Sequence, residues 1–254
     1  MTFHSAMESV LFSYALGLGV MSFSLFIFGV TGILYRQTVH LFLIIVLLGS
    51  LPVLYSGIRD RSFFKMRSIQ LPRRPFITCV LLLIIGIYVG LTFITALTPP
   101  TEFDSQVYNL ADSKRFLRYN SLLHTQMPGV DLHGVCIMPL GFELLYAVPL
   151  SLDHDVAAKL LQWATAICAA IAIYALMARF FSRIGGLFAA AIFLIQPAVA
   201  RFIATPKADM AVVLFAVLSL YAFFEWNDSR ERKWLICCGV NAGLFAACRL
   251  YGFF

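Results

Sequence analysis

The sequence predicts an all-α protein, a polytopic bundle of membrane-crossing helices, and three observations carry that expectation. Of 254 residues, 61% are hydrophobic and only 13% are charged, about half the charged share of a soluble domain. Mean hydropathy is +0.86, which leaves no polar surface to cover a soluble core of this size. The apolar residues also gather into runs near the roughly 20 residues needed to cross a bilayer. Intrinsic disorder, collagen-like repeats and a disulfide scaffold are excluded by the same figures.

Taken in order, the runs place about seven spans near residues 10–34, 40–57, 76–98, 156–178, 185–204, 209–226 and 235–254. The first is no cleavable signal, because residues 1–9 hold no Lys or Arg and its apolar run is too long. Pro52 and Gly57 leave the inner end of the second undefined. The chain thus divides into two N-terminal helices within 1–58, a basic loop at 59–75, and a region 76–254 that contains one long non-spanning stretch, 99–155.

The net charge of +6 does not point to nucleic acid, because of where the charges sit. Arg59, Arg61, Lys65, Arg67, Arg73 and Arg74 crowd one loop between apolar runs, as the positive-inside rule expects of a cytoplasmic loop. With that loop inside, Arg179, Arg183, Arg230, Arg232 and Lys233 also fall inside, making 11 basic residues. Arg36, Lys114, Arg115, Arg118, Arg201 and Lys207 fall outside. This bias puts the N-terminus inside and 99–155 outside. The last run reaches Phe254, so the chain reads as the front part of a longer protein.

The six cysteines lie mostly in or near spans and form no disulfide framework. The five histidines show no metal-ligand spacing, and no metal or cofactor is expected. Asp153-His154-Asp155 reads as a loop end before a helix, and Gly239 with Gly243 reads as a site of close helix packing.

The external loop carries the chemistry. Pro99-Pro100 ends the third span, and Thr101 with Asp104 resembles a capping box. At 100° per residue, Phe103, Val107, Leu110 and Leu117 share one arc, while Asp104, Tyr108, Asp112, Arg115 and Arg118 lie opposite. Residues 102–119 are therefore predicted to be an amphipathic helix on the outer membrane surface. Asp104 then has two readings: a carboxylate that favours the helix macrodipole, or a general base. Lys114, Arg115 and Arg118 either snorkel toward headgroups or hold a substrate phosphate. Lys207 and Asp209 follow Pro206 at the outer end of the sixth span, and Glu143 interrupts an apolar run on the same side. Ionisable groups at such positions point to function by default, so Asp104, Glu143 and Asp209 are candidate members of one site.

These residues also resemble a known family. Pro99-Pro100-Thr101-Glu102-Phe103-Asp104-Ser105, followed by Tyr108-Asn109-Leu110 and Lys114, is similar to the first external loop of GT-C type membrane glycosyltransferases. The closest branch is the bacterial one akin to protein O-mannosyltransferases and aminoarabinose transferases. Further matches are Met138 through Tyr146, Ala157 through Leu161, Phe180 through Leu187, and Gln196-Pro197 through Asp209. The family's Tyr-His-Leu stands here as Tyr108-Asn109-Leu110, and its Thr-Lys as Cys248-Arg249.

The resemblance implies an inverting transfer of a sugar from a polyprenyl-phosphate donor to an envelope lipid, glycan or protein acceptor. It implies action on the outer face, in a bacterial inner membrane. Asp104 would be the catalytic base, with Asp209 and Glu143 beside it; Tyr108, Lys114, Arg115 and Lys207 would meet substrate. The alternatives are a non-catalytic or truncated relative, or a transporter or lipid-binding scaffold. A transporter would place its ionisable groups near mid-depth on broken helices.

Overall fold

The computed structural model describes residues 6–59, 75–122 and 140–249. Most of the predicted basic loop, and residues 138, 139 and 250–254 of the predicted motifs and last span, lie outside the described residues. The described residues form helices and no strand: α1 (Ala6–Val30), α2 (Arg36–Arg59), α3 (Pro75–Ala96), α4 (Leu110–Tyr119), α5 (Ala147–Ser151), α6 (Asp155–Phe180), α7 (Arg183–Ile195), α8 (Pro197–Phe202), α9 (Asp209–Ser229) and α10 (Arg232–Cys248). A π-helical turn, Ser105–Asn109, leads into α4, and a 3-10 turn, Glu143–Tyr146, leads into α5.

Four helices are long and apolar enough to cross a membrane: Met7–Val30, Pro75–Ala96, Asp155–Phe180 and Asp209–Ser229. Arg36–Pro52 and Arg183–Ile195 are apolar but shorter, so the expected seven spans are not reached among the described residues. The predicted span 185–204 is cut in two for a local reason. Gln196 leaves the helical region at φ −61°, ψ 134°, because the proline ring at Pro197 disfavours helix in the residue before it. Pro197 then opens α8 at the position where a missing N–H costs nothing. The predicted span 235–254 stops as a helix at Cys248, and Arg249 turns extended at φ −154°, ψ 146°.

The core is built by α1, α6, α9 and α10, with the turns before α5 wedged against them. Phe12, Trp234 and Tyr221 form one aromatic cluster within it. By contrast, α2 and α3 expose Leu41, Ile44, Ile45, Leu83, Leu91 and Ile94, the outward apolar face expected where lipid replaces water. Among the described residues, a Cβ at Gly239 or Gly243 would meet nothing within 4 Å, so the predicted close helix packing is not seen there. The glycine that does allow a close approach is Gly141: a Cβ there would stand 2.5 Å from the Ala247 carbonyl oxygen. Its own N–H donates to that oxygen at 3.0 Å. Ser22 of α1 donates to the Gly141 carbonyl as well. One residue thus ties the second half of α1 and the end of α10 to the segment that carries Glu143.

The amphipathic helix predicted over 102–119 stands as a π turn followed by α4, packed on the end of the bundle. Leu110, Phe116 and Leu117 are buried in the core, and the Ser113 hydroxyl bonds the carbonyls of Asn109 (3.0 Å) and Glu143 (2.8 Å). Phe103, assigned to the apolar face, is 68% exposed. The physical reason is the π turn, whose Leu110 N–H bonds back to Ser105. It shifts the helical phase, so one uniform wheel cannot describe both sides. The expected cap is also absent: Asp104 engages Lys207 rather than the first amides of the helix.

Candidate active site

Helix direction explains why distant acids meet. α1, α3 and α10 finish at the end of the bundle where α2, α6 and α9 begin. Lys159 near the start of α6 donates to the Thr95 carbonyl (2.8 Å) and the Thr98 hydroxyl (2.9 Å), fixing the end of α3 there. A cavity of about 150 Å³ opens at this end, lined by Asp104, Tyr108, Asn109, Asp112, Glu143, Lys207 and Arg249.

Each wall is positioned by local structure. The π turn and α4 present Asp104, Tyr108, Asn109 and Asp112 to the cavity from one stretch of chain. Such wide turns recur at functional sites. Phe103 packs edge-on against Tyr108 at 6.1 Å between ring centres. Lys207 lies in the irregular stretch before α9, and its backbone is held by the fully buried Tyr146, whose hydroxyl donates to the Lys207 carbonyl at 2.8 Å. Its ammonium stands 4.3 Å from the Phe202 ring centre and forms an ion pair with Asp104. The Asp104 side chain is 44% exposed, the most open carboxylate of the cavity wall.

Arg249 crosses the back of the site. Its guanidinium is 3.8 Å from the Glu143 carboxylate and 3.9 Å from that of Asp209. Glu143 is almost fully enclosed, and its Oε2 has no hydrogen-bond partner. Burial pushes its carboxyl up to about 7, against the lowering pull of Arg249. Asp112, paired with Arg115 at 2.7 Å, is also raised by burial, with Arg115 pulling the other way. Buried Tyr146 is raised well above its ordinary value, first by burial and then by the nearby Glu143 charge.

The expected site residues therefore separate. Asp104, Tyr108, Glu143 and Lys207 share one cavity, with Asp209 behind it across Arg249. Arg115 is occupied by Asp112. Lys114 lies elsewhere: it pairs with Asp155 at 2.7 Å on the wall of a different cavity. Asp153 is paired with Arg36 at 2.7 Å, so the Asp153-His154-Asp155 run closes a loop before α6 as expected.

Three residues of the cavity wall, Asn109, Asp112 and Arg249, are not among the expected site residues. Asp112 follows Asp104 and Tyr108 at steps of four, which was a signal in itself. Arg249 was marked by being the one cation in the last apolar run. Among the described residues, no three His, Cys, Asp or Glu side chains are grouped to hold a metal ion.

Comparison with known proteins reaches part of this site. Residues 139–253 match the family model described as dolichyl-phosphate-mannose-protein mannosyltransferase. No curated protein and no solved structure matches the chain. The matched stretch holds Glu143, Lys207, Asp209 and Arg249; Asp104 and Asp112 precede it. Over residues 139–253 the chain is thus similar to a family of membrane glycosyltransferases of the GT-C type, a likeness that fits the all-α bundle and its membrane-length helices.

Proposed function

We propose that this protein moves a sugar from a polyprenyl-phosphate donor to a hydroxyl or amine on an envelope lipid, glycan or protein. The reaction takes place at the outer face of a bacterial inner membrane and inverts the anomeric centre. Asp104 is the base. The observation that carries this reading is its half-open carboxylate, held by Lys207 at the mouth of a cavity backed by Arg249.

In the reaction, the acceptor's proton passes to Asp104 as its heteroatom bonds the anomeric carbon. The bond from that carbon to the phosphate oxygen breaks, and polyprenyl phosphate leaves with the electron pair. An oxocarbenium-like centre of this kind needs a carboxylate to activate its nucleophile. The departing phosphate needs positive charge already in place, and Lys207 and Arg249 supply it. Glu143 and Asp209 hold Arg249 at the back wall, Tyr108 lines the sugar's approach, and Arg115 holds Asp112. The outer-face assignment is supported by the basic residues concentrated toward the opposite ends of the helices. The transporter alternative is disfavoured because the ion pairs among the described residues lie at the helix ends, not at mid-depth.

The test is a donor panel. Membranes containing the protein are incubated with labelled polyprenyl-phosphate sugars or labelled nucleotide sugars, and label is followed into lipid and protein fractions. Transfer from a polyprenyl-phosphate sugar, and not directly from a nucleotide sugar, is the expected result. Transfer from neither, with the protein inserted and folded, would overturn the reading.

A further inference from the structure

On the side of α4 away from Asp104 and Asp112 lies a larger cavity of about 920 Å³, whose wall also holds Asp153 and Asp155. Arg36 at the start of α2, and Lys114 and Arg118 of α4, bring three cations to its wall; Leu117 and Leu150 add apolar surface. We propose that this cavity binds the phosphate headgroup of an anionic membrane lipid, separately from the site of sugar transfer.

Three observations lead there. The first is the availability of charge. Arg118 is exposed and makes no hydrogen bond or ion pair among the described residues. Arg36 and Lys114 are paired with Asp153 and Asp155 at 2.7 Å, yet their side chains are 51% and 53% exposed. Ion pairs that open contribute only about 0–1 kcal/mol, so both cations can turn to a phosphate, whose charge-assisted bonds are stronger.

The second observation is position. The cavity wall includes the first residue of α2 and the prolines just past α3, so it lies at the edge of the apolar layer. The third is the surface leading away from it. Leu41 of α2 is 58% exposed, and Leu97 beside the prolines is 48% exposed. Acyl chains can lie along these apolar faces while the headgroup occupies the charged cavity, and a free phosphate would use only the charged part.

The purified protein in neutral detergent is titrated with short-chain phosphatidylglycerol or phosphatidylcholine, and bound copies are counted by native mass spectrometry. Phosphatidylglycerol should bind about tenfold more tightly than phosphatidylcholine. Arg118→Glu should weaken phosphatidylglycerol about tenfold without changing phosphatidylcholine. Arg118→Gln, which adds no repulsion, should lie between wild type and Arg118→Glu. Asp104→Asn, on the other side of α4, should bind both lipids like wild type. Equal binding of the two lipids, or unchanged phosphatidylglycerol binding in Arg118→Glu, overturns the proposal. Inorganic phosphate at matched concentration should not displace the lipid; equal displacement would overturn the lipid assignment in favour of a free anion.

Discussion

Arg179 and Arg249 stand at opposite ends of one bundle, and each faces two carboxylates. Arg179 forms ion pairs with Glu225 and Asp228 and reaches the Phe224 carbonyl at 3.3 Å. Nearby, the Tyr221 hydroxyl donates to Glu8 at 2.8 Å, so α1, α6 and α9 are tied together at that end. Arg249 stands 3.8 Å and 3.9 Å from its two carboxylates, and Glu143 keeps one buried oxygen unbonded. The same residue types thus stand in two geometries. Closed pairs fix helices, whereas the pairs near 4 Å are looser ion pairs beside the cavity.

The largest expected effect separates the two arginines by readout. Arg249→Met should lower the specific activity of folded protein in sugar transfer by about 10²–10³-fold, the cost of removing a preorganised charge from a transition state. Arg179→Met should leave that specific activity intact. It leaves the largely enclosed Glu225 without this cation, a loss on the order of 3 kcal/mol, and lowers the melting midpoint in detergent while folded protein keeps its specific activity. Similar losses of activity in both variants would erase the distinction between the ends.

A second, smaller effect follows from pH. The folded protein raises Glu143 from an ordinary 4.5 to about 7. Between those values the native state keeps a proton that the unfolded chain has already released. Stability should therefore fall as pH rises through that window, by on the order of 3 kcal/mol in all. Asp112, also raised, contributes in the same direction. Melting midpoints of wild type should decline from about pH 5 to about pH 8, and Glu143→Gln should flatten that decline. A slope identical in wild type and variant would show that Glu143 does not carry it.

The smallest effect concerns Tyr146, whose hydroxyl holds the Lys207 backbone without touching the cavity. Tyr146→Phe removes one buried hydrogen bond, about 1 kcal/mol. A positioning role predicts a kcat about fivefold lower at nearly constant KM. A change confined to KM would contradict it.

Much of this arrangement was legible in the chain itself. Sparse charge marked Asp104, Glu143 and Asp209, and the distribution of basic residues put all three at one end. What the chain did not reveal is local or long-range. A regular helical wheel cannot register the π turn at Ser105–Asn109, and it missed that Asp112 is enclosed. Pairing across 103 residues between Asp104 and Lys207 depends on the packing of several helices. For the same reason Lys114, only two residues from Asp112, could not be assigned from sequence to the other side of α4.

The proposed transfer depends on Asp104 as the group that takes the acceptor's proton, and one measurement bears on it most directly. Membranes with equal amounts of inserted wild-type or Asp104→Asn protein are given the labelled polyprenyl-phosphate sugar, and initial transfer rates are compared. A fall of about 10²–10⁴-fold in the variant, typical of a lost general base, is the predicted result. A rate within a few-fold of wild type would contradict the account.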